Sequence, residues 1–292
     1  MKINDVDELF TYLLQMQMSG QYVFRGISKE YQKYPKLIRD ANPESIDLDY
    51  YEKIILNEFV NKSSSLLSGN LVDMDIVGYA QHHGLPTRLI DWSKNPFVAL
   101  FFAINSKSSD DKGYRIFAFD TIKGFEIDRL LVKQTYDDLS RVYDTKLNTY
   151  FKFIDDIGQD EGDVNKVISY YDEYPIYKES EEFEELRGSK HLIPIFYRSN
   201  LSNKRVINQQ GLYLIPDILT KSRIDSYYDT NFCNEVTIDK SIIDTAIDKL
   251  ENMGINQTSL FYDLDNIATD VLNKYKRLIN EHNSYFENLT DL

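Results

Sequence analysis

Cysteine is almost absent: Cys233 stands alone among 292 residues. An internal disulfide is therefore excluded, as is a zinc site built on a pair of thiolates, and a reducing, cytoplasmic setting is expected. Long apolar runs are missing as well. The longest, Pro96 to Ile104, is far short of the roughly 20 residues that span a bilayer, and MKINDVDELF at the start lacks a basic stretch ahead of an apolar one. Neither a membrane span nor a secretory leader is expected. No dense Lys/Arg cluster is present, which argues against binding duplex nucleic acid, where phosphate neutralisation dominates affinity. The Walker GxxxxGK[ST], GxGxxG and HExxH patterns and a Ser/His/Asp triad order are all lacking, so P-loop, Rossmann, zincin and hydrolase chemistries fall away and no metal is expected.

What is present is an ordinary globular composition, 42% apolar and 27% charged, with a net charge of −14. The acid is unevenly placed. Residues 155–185 hold twelve Asp and Glu against two Lys, so this stretch carries −10 and the other 261 residues only −4. Its Tyr and Phe content argues against plain disorder. We read it as a solvated insertion, at about 121–190, within one domain spanning 1–292, with a regulatory or partner-binding role as the alternative.

Periodicity supplies the elements. Asp5 and Glu8 have capping-box spacing ahead of Val6, Leu9, Phe10, Leu13 and Leu14, which predicts a helix ending near Gly20. QYVFRG predicts a strand stopped by Gly26. Asp49 precedes Tyr51, Ile54, Ile55 and Phe59 at helical spacing, and a short helix from Ile76 to His82 should end at Gly84. TRLIDW predicts a strand, and Asn95-Pro96 starts a helix, FVALFFA, that is apolar all round and hence buried. YRIFAFD, HLIPIFYR, Arg205 to Ile215 and Glu235 to Ile238 read as strands. Two helices follow, from Ile242 to Gly254 and from Leu264 to Ile279. Strands set among helices without strict alternation predict an α+β fold, a central sheet flanked by helices with helical ends.

Four stretches combine polar groups with turn residues. Arg25, at a strand end and followed by Gly26, is either a fork for phosphate or carboxylate or a structural ion-pair partner. Adjacent residues on a helix point about 100° apart, so His82 and His83 cannot share a metal. One imidazole is expected to cap the helix end and the other to face a cleft; His83 is the better cap and His82 the better site residue. In Thr87-Arg88-Leu89-Ile90-Asp91-Trp92, the strand period of two places Arg88 and Asp91 on opposite faces, and Trp92 offers a flat wall. Gln209 and Gln210, before Gly211 and Tyr213, either read a ligand amide, ribose or base edge or satisfy a bulge.

Taken together, YVFRG, AQHHGLPTRLIDWSKNPFVALFFA, RVINQQGLY and SLFYDLDNIA resemble the FRG domain family of bacterial and phage proteins. The family motif is Phe24-Arg25-Gly26 here. Its most specific block, AQHxGLPTRLLDWTxNPLxALFFA, is met from Ala80 to Ala103 with Ile90 for Leu and Ser93 for Thr. The resemblance implies a cytoplasmic bacterial protein of an accessory or phage-defence locus and leaves its activity undefined. One expectation is a binding or sensor module that takes a nucleotide or protein ligand. The alternative is an ADP-ribosyltransferase-like enzyme using NAD, by analogy with the order of parts in such enzymes. In that reading Arg25, His82, Asp91 and Gln209 are catalytic, and Gly26, Thr87, Arg88, Trp92, Gln210 and Tyr213 contact the cofactor. A glutamine where such enzymes carry glutamate cannot take a proton, so Asp91 would supply the charge. Convergence of Arg25, Asp91 and a glutamine on one cleft favours the enzyme; Arg25 and Asp91 buried in mutual ion pairing favours the module.

Overall fold

The computed structural model describes residues 1–40, 47–66, 73–105, 109–121, 125–128, 195–198, 204–216, 219–230 and 233–261, with isolated positions between 267 and 279. The acidic segment 155–185 lies outside them. The chain begins with a short strand β1 (Lys2–Ile3) and the helix α1 (Val6–Ser19). The Asp5 side chain accepts from Glu8 N at 2.8 Å, and Gly20, at φ 72°, closes the helix in the left-handed conformation that glycine adopts without cost. Strand β2 (Tyr22–Ile27), a 3-10 turn (Glu30–Lys33), and helices α2 (Lys36–Asp40), α3 (Leu48–Ser63) and α4 (Asp73–His82) follow. Then come β3 (Ile90–Ser93), α5 (Pro96–Ile104), β4 (Tyr114–Asp120), β5 (Phe125–Asp128), β6 (Ile195–Arg198), α6 (Lys204–Asn208) and β7 (Gly211–Ile215). The described chain continues with α7 (Lys221–Tyr228), β8 (Cys233–Ile238), α8 (Ile243–Asn252) and α9 (Gln257–Leu260).

The strands form one mixed sheet in the order β1-β8-β4-β2-β3-β7-β6-β5. The pairs β1–β8 and β5–β6 are parallel and the others antiparallel, and with the helices packed on this sheet the fold is α+β. Helices cover both faces. Leu9 and Leu13 of α1, Phe97 to Ile104 of α5 and Ala246 and Leu250 of α8 pack with Phe24, Ile116 and Val236 on one face. Leu37, Leu48, Ile224 and Tyr228 pack with Val23, Trp92 and Phe117 on the other. The alternation of Val23 and Phe24 between these cores is the two-residue strand period made visible.

Three expectations need correction. Gly26 does not stop β2, which continues through Ile27. It lies where α5 crosses so closely that a Cβ at 26 would stand 1.7 Å from Ala99 O. Second, α3, capped by Asp47, has as its inner face Leu48, Glu52, Leu56 and Val60, whereas Tyr51 and Ile54 of the expected helical stripe are exposed. The pattern misled because the inner stripe includes a carboxylate. Third, Arg205 to Ile215 is not one strand: α6 occupies its first part, and Gln210, at φ 46°, makes the turn into β7. Of the helix expected from Leu264 to Ile279, only seven positions fall among the described residues, and those are helical.

Glu52 is on that inner stripe because Arg88 is there. Arg88 Nε donates to Glu52 Oε2 at 2.7 Å and Arg88 N to Oε1 at 2.8 Å, both side chains being at most 1% exposed, while Nη2 reaches Asp49. Removing one partner of a buried pair strands the other charge, so Glu52→Ala is expected to cost about 3–5 kcal/mol in denaturant unfolding. Gly26→Ala is expected to cost about 3 kcal/mol or more in the same measurement, because the obstacle is backbone and cannot rotate away. A change within 0.5 kcal/mol in either variant would contradict the corresponding contact.

Candidate functional site

The sheet is weakest at its centre. β2 pairs with β4 at six registers, from Tyr22↔Asp120 to Ile27↔Arg115, and β3 pairs with β7 at four. Between β2 and β3 there is one, Phe24↔Ser93. Beyond that rung the guanidinium of Arg25 replaces the ladder: Nη1 donates to Asp91 O of β3, and Nη2 donates to Gln32 O of the 3-10 turn at 2.6 Å. Gln32 is itself fixed, its Oε1 accepting from Ser28 N at 2.8 Å and Lys29 N at 2.9 Å. The 3-10 turn is anchored at Glu30, whose carboxylate meets Arg115, Lys33 and Lys112.

A cavity of about 180 Å³ opens at this divergence. Arg25, Asp91 and Gln209 all line it, together with Gly26 and Trp92 from the expected set. Arg39 of α2 and Arg205 of α6 add two further guanidinium groups, so three cations face one carboxylate in a chain of net charge −14. Phe24, Trp92 and Phe102 give it flat apolar surface. Arg25 and Asp91 do not form an ion pair with each other. Arg25 bonds the Asp91 main chain, and the Asp91 side chain is exposed.

The Asp91 carboxylate is oriented by two residues of the same sequence block. Leu89 N donates to Thr87 Oγ1 at 3.3 Å, and that hydroxyl donates to Gln81 Oε1 at 2.5 Å. The flip of the Gln81 amide is thereby set, and its Nε2 donates to Asp91 Oδ1 at 2.8 Å. Oδ2 has no partner among the described residues. Gln209 is held through Ser93 Oγ, which donates to its carbonyl at 2.7 Å, and through its Nε2, which donates to Leu260 O at 3.2 Å. Trp92 is 4% exposed, stacked on Tyr228 at 6.0 Å, and its buried Nε1 has no partner among the described residues.

The remaining expected residues stand outside this lining. Thr87 acts behind Gln81. Arg88 is buried against Glu52, because a guanidinium that deep needs its counter-charge beside it. His82 and His83 are both exposed, so neither is a buried cap. His82 Nδ1 lies 3.1 Å from Arg205 Nη1; a guanidinium only donates, so Nδ1 is the acceptor and the proton sits on Nε2. Gln210 contributes its carbonyl, which accepts from Lys94 N at 3.0 Å. Tyr213 is buried against Gly78, and burial, then the charge of Asp91, raises its pKa so that the phenol stays neutral. Gln32, Arg39 and Gln81 were missed. Gln81 sits in the quoted block, where helical spacing hid its side-chain role, and no motif marks the other two. Among the described residues no group of three His, Cys, Asp or Glu could hold a metal ion.

Burial alone would raise the Glu30 carboxyl, but hydrogen bonds from Arg115, Lys33 and Lys112 prevail and hold it down at about 2, against an ordinary 4.5. A depressed folded value stabilises fully above pH 4.5 and is lost as pH falls from 4.5 to about 2. Glu30→Gln is therefore expected to melt below the wild type at neutral pH, with the gap narrowing through that window. A gap constant with pH would show that the ion cluster does not hold the turn.

Residues 20–112 match a family model described as FRG domain. No curated protein and no solved structure matches the chain. The matched span covers β2, the 3-10 turn, α2 to α4, β3 and α5, and so contributes Arg25, Gln32, Arg39, Asp91 and Trp92 to the cavity; Arg205 and Gln209 come from beyond it. The chain thus carries an FRG domain, and that domain builds most of the cleft.

Proposed function

We propose that the cleft between β2 and β3 binds a small ligand joining a flat ring to an acceptor-rich group, a nucleotide, and that the protein is a ligand-sensing module of a bacterial accessory or phage-defence system. The observation that carries the ligand reading is the convergence of Arg25, Asp91 and Gln209 on one cavity that also has aromatic walls. Ligand pockets join a few aimed polar groups to apolar surface in this way. At about 180 Å³ the cavity is below the usual range of roughly 300–1,000 Å³ for whole drug-sized ligands, so it takes one ring or one ribose-phosphate end of a nucleotide. The family assignment supports the bacterial setting, and no described helix is long and apolar enough to cross a membrane.

The same convergence, without an ion pair between Arg25 and Asp91, also favours a second reading, ADP-ribosyltransferase-like cleavage of NAD, and one further observation supports it. The Asp91 carboxylate is in the cleft with one oxygen held by Gln81 and the other without a partner among the described residues. In that reaction the bond from ribose C1′ to the nicotinamide nitrogen breaks and its electron pair leaves with nicotinamide. Asp91 stabilises the cationic sugar and takes the proton of the incoming nucleophile. Gln209 binds a ribose hydroxyl and carries no charge.

Trp92, the sole tryptophan, lines the cavity and reports occupancy directly. Saturable change of its emission on titrating AMP and NAD to millimolar levels is expected; no change with either overturns the nucleotide reading. Nicotinamide release, followed by chromatography, decides the second reading. If turnover occurs, Asp91→Asn is expected to slow it about 100-fold or more while leaving binding in place. Release no faster than in buffer leaves a binding module only.

A further inference from the structure

Resting on the ligand reading above, we infer that Arg39 is the anchor of this cleft, and that the group it takes is a dianionic phosphate lying between Arg39 and Arg25. The two arginines differ in what they already hold. Arg25 lines the cavity, yet its Nη1 and Nη2 are committed to the carbonyls of Asp91 and Gln32. Its one remaining donor nitrogen, Nε, is buried, so it supplies charge to the cavity more than accessible donors. Arg39 lines the same cavity from α2, and its guanidinium makes no hydrogen bond and no ion pair among the described residues. Its one described contact is the face of Tyr31, with Cζ 5.9 Å from the ring centroid, which steadies the guanidinium without using a donor.

Two like charges at one cavity wall repel unless something neutralises them. Burial, then the charge of Arg25, lowers the pKa of Arg39, so the pair feels this repulsion in the empty protein. The charges of Asp40 and Asp91 offset it only in part, and neither carboxylate forms an ion pair with either arginine. A carboxylate ligand would balance one of the two charges. A phosphate monoester balances both and offers its oxygens to the fork geometry of Arg39. The phosphate is therefore placed at the Arg39 end with the attached ribose toward Asp91, so that the ribose-phosphate end is the part the cavity holds.

AMP and adenosine differ only in the phosphate, and Trp92 emission follows both. AMP is expected to bind the wild type about 10- to 100-fold more tightly than adenosine, with added salt weakening AMP alone. Arg39→Ala is expected to abolish that difference, leave adenosine within about twofold, and keep the wild-type melting temperature; Arg39→Lys restores part of it. Equal binding of AMP and adenosine, or equal weakening of both by Arg39→Ala, overturns the inference. Inorganic phosphate separates this failure from that of the nucleotide reading. If AMP and adenosine both fail while calorimetry detects phosphate on the wild type and not on Arg39→Ala, the nucleotide reading falls and the Arg39 site stands. If phosphate fails too, the inference is overturned.

Discussion

Everything at the centre of this molecule depends on an arginine doing the work of a β-ladder. Two four-stranded halves of the sheet meet at Phe24↔Ser93, and beyond it the Arg25 guanidinium spans the gap to the carbonyls of Asp91 and Gln32. A ladder would have closed the space between β2 and β3. A side chain bridging the same carbonyls keeps the strands associated and leaves a cavity beside them. Charge-assisted hydrogen bonds to main-chain oxygens are strong enough for this, and the fork of a guanidinium reaches two at once.

The polar residues of the block from Gln81 to Asp91 divide by depth. Arg88, deepest, neutralises Glu52 and ties α3 to the approach of β3. Thr87 and Gln81 form the next layer, transmitting a hydrogen-bond direction from the main chain of Leu89 to Asp91. Asp91 alone reaches the cavity. A stretch that reads as a row of candidate ligands is thus mostly the support of one carboxylate. The Phe24-Arg25-Gly26 triad divides similarly: Phe24 enters the core beneath α5, Arg25 bridges the strands, and Gly26 admits the Ala99 carbonyl.

Local signals in the sequence were legible where the physics is local. Asp5, Gly20, Asn95 and Pro96 bound their helices through caps that depend only on neighbouring residues, and the seven-residue strand from Tyr114 shows its pattern directly. The inner face of α3 was misread because its central member is Glu52, which is apolar-facing only by virtue of a partner 36 residues away. The strand expected from Arg205 failed at Gln210, whose left-handed backbone no propensity announces. In the cleft, Arg25, Asp91, Trp92 and Gln209 could be chosen from turn chemistry and spacing. Arg39 and Gln32 could not, since they reach it only through the path of the 3-10 turn and α2 in three dimensions.

Six rungs join β2 to β4 and one joins it to β3, so the sheet is stiff across one flank and compliant across the other. The packing of Gly26 against the Ala99 carbonyl reinforces that asymmetry by locking β2 to α5. Bending of the sheet is therefore concentrated along a single seam. The cavity beside Arg25 therefore lies at the place where the fewest main-chain bonds join the two halves of the sheet.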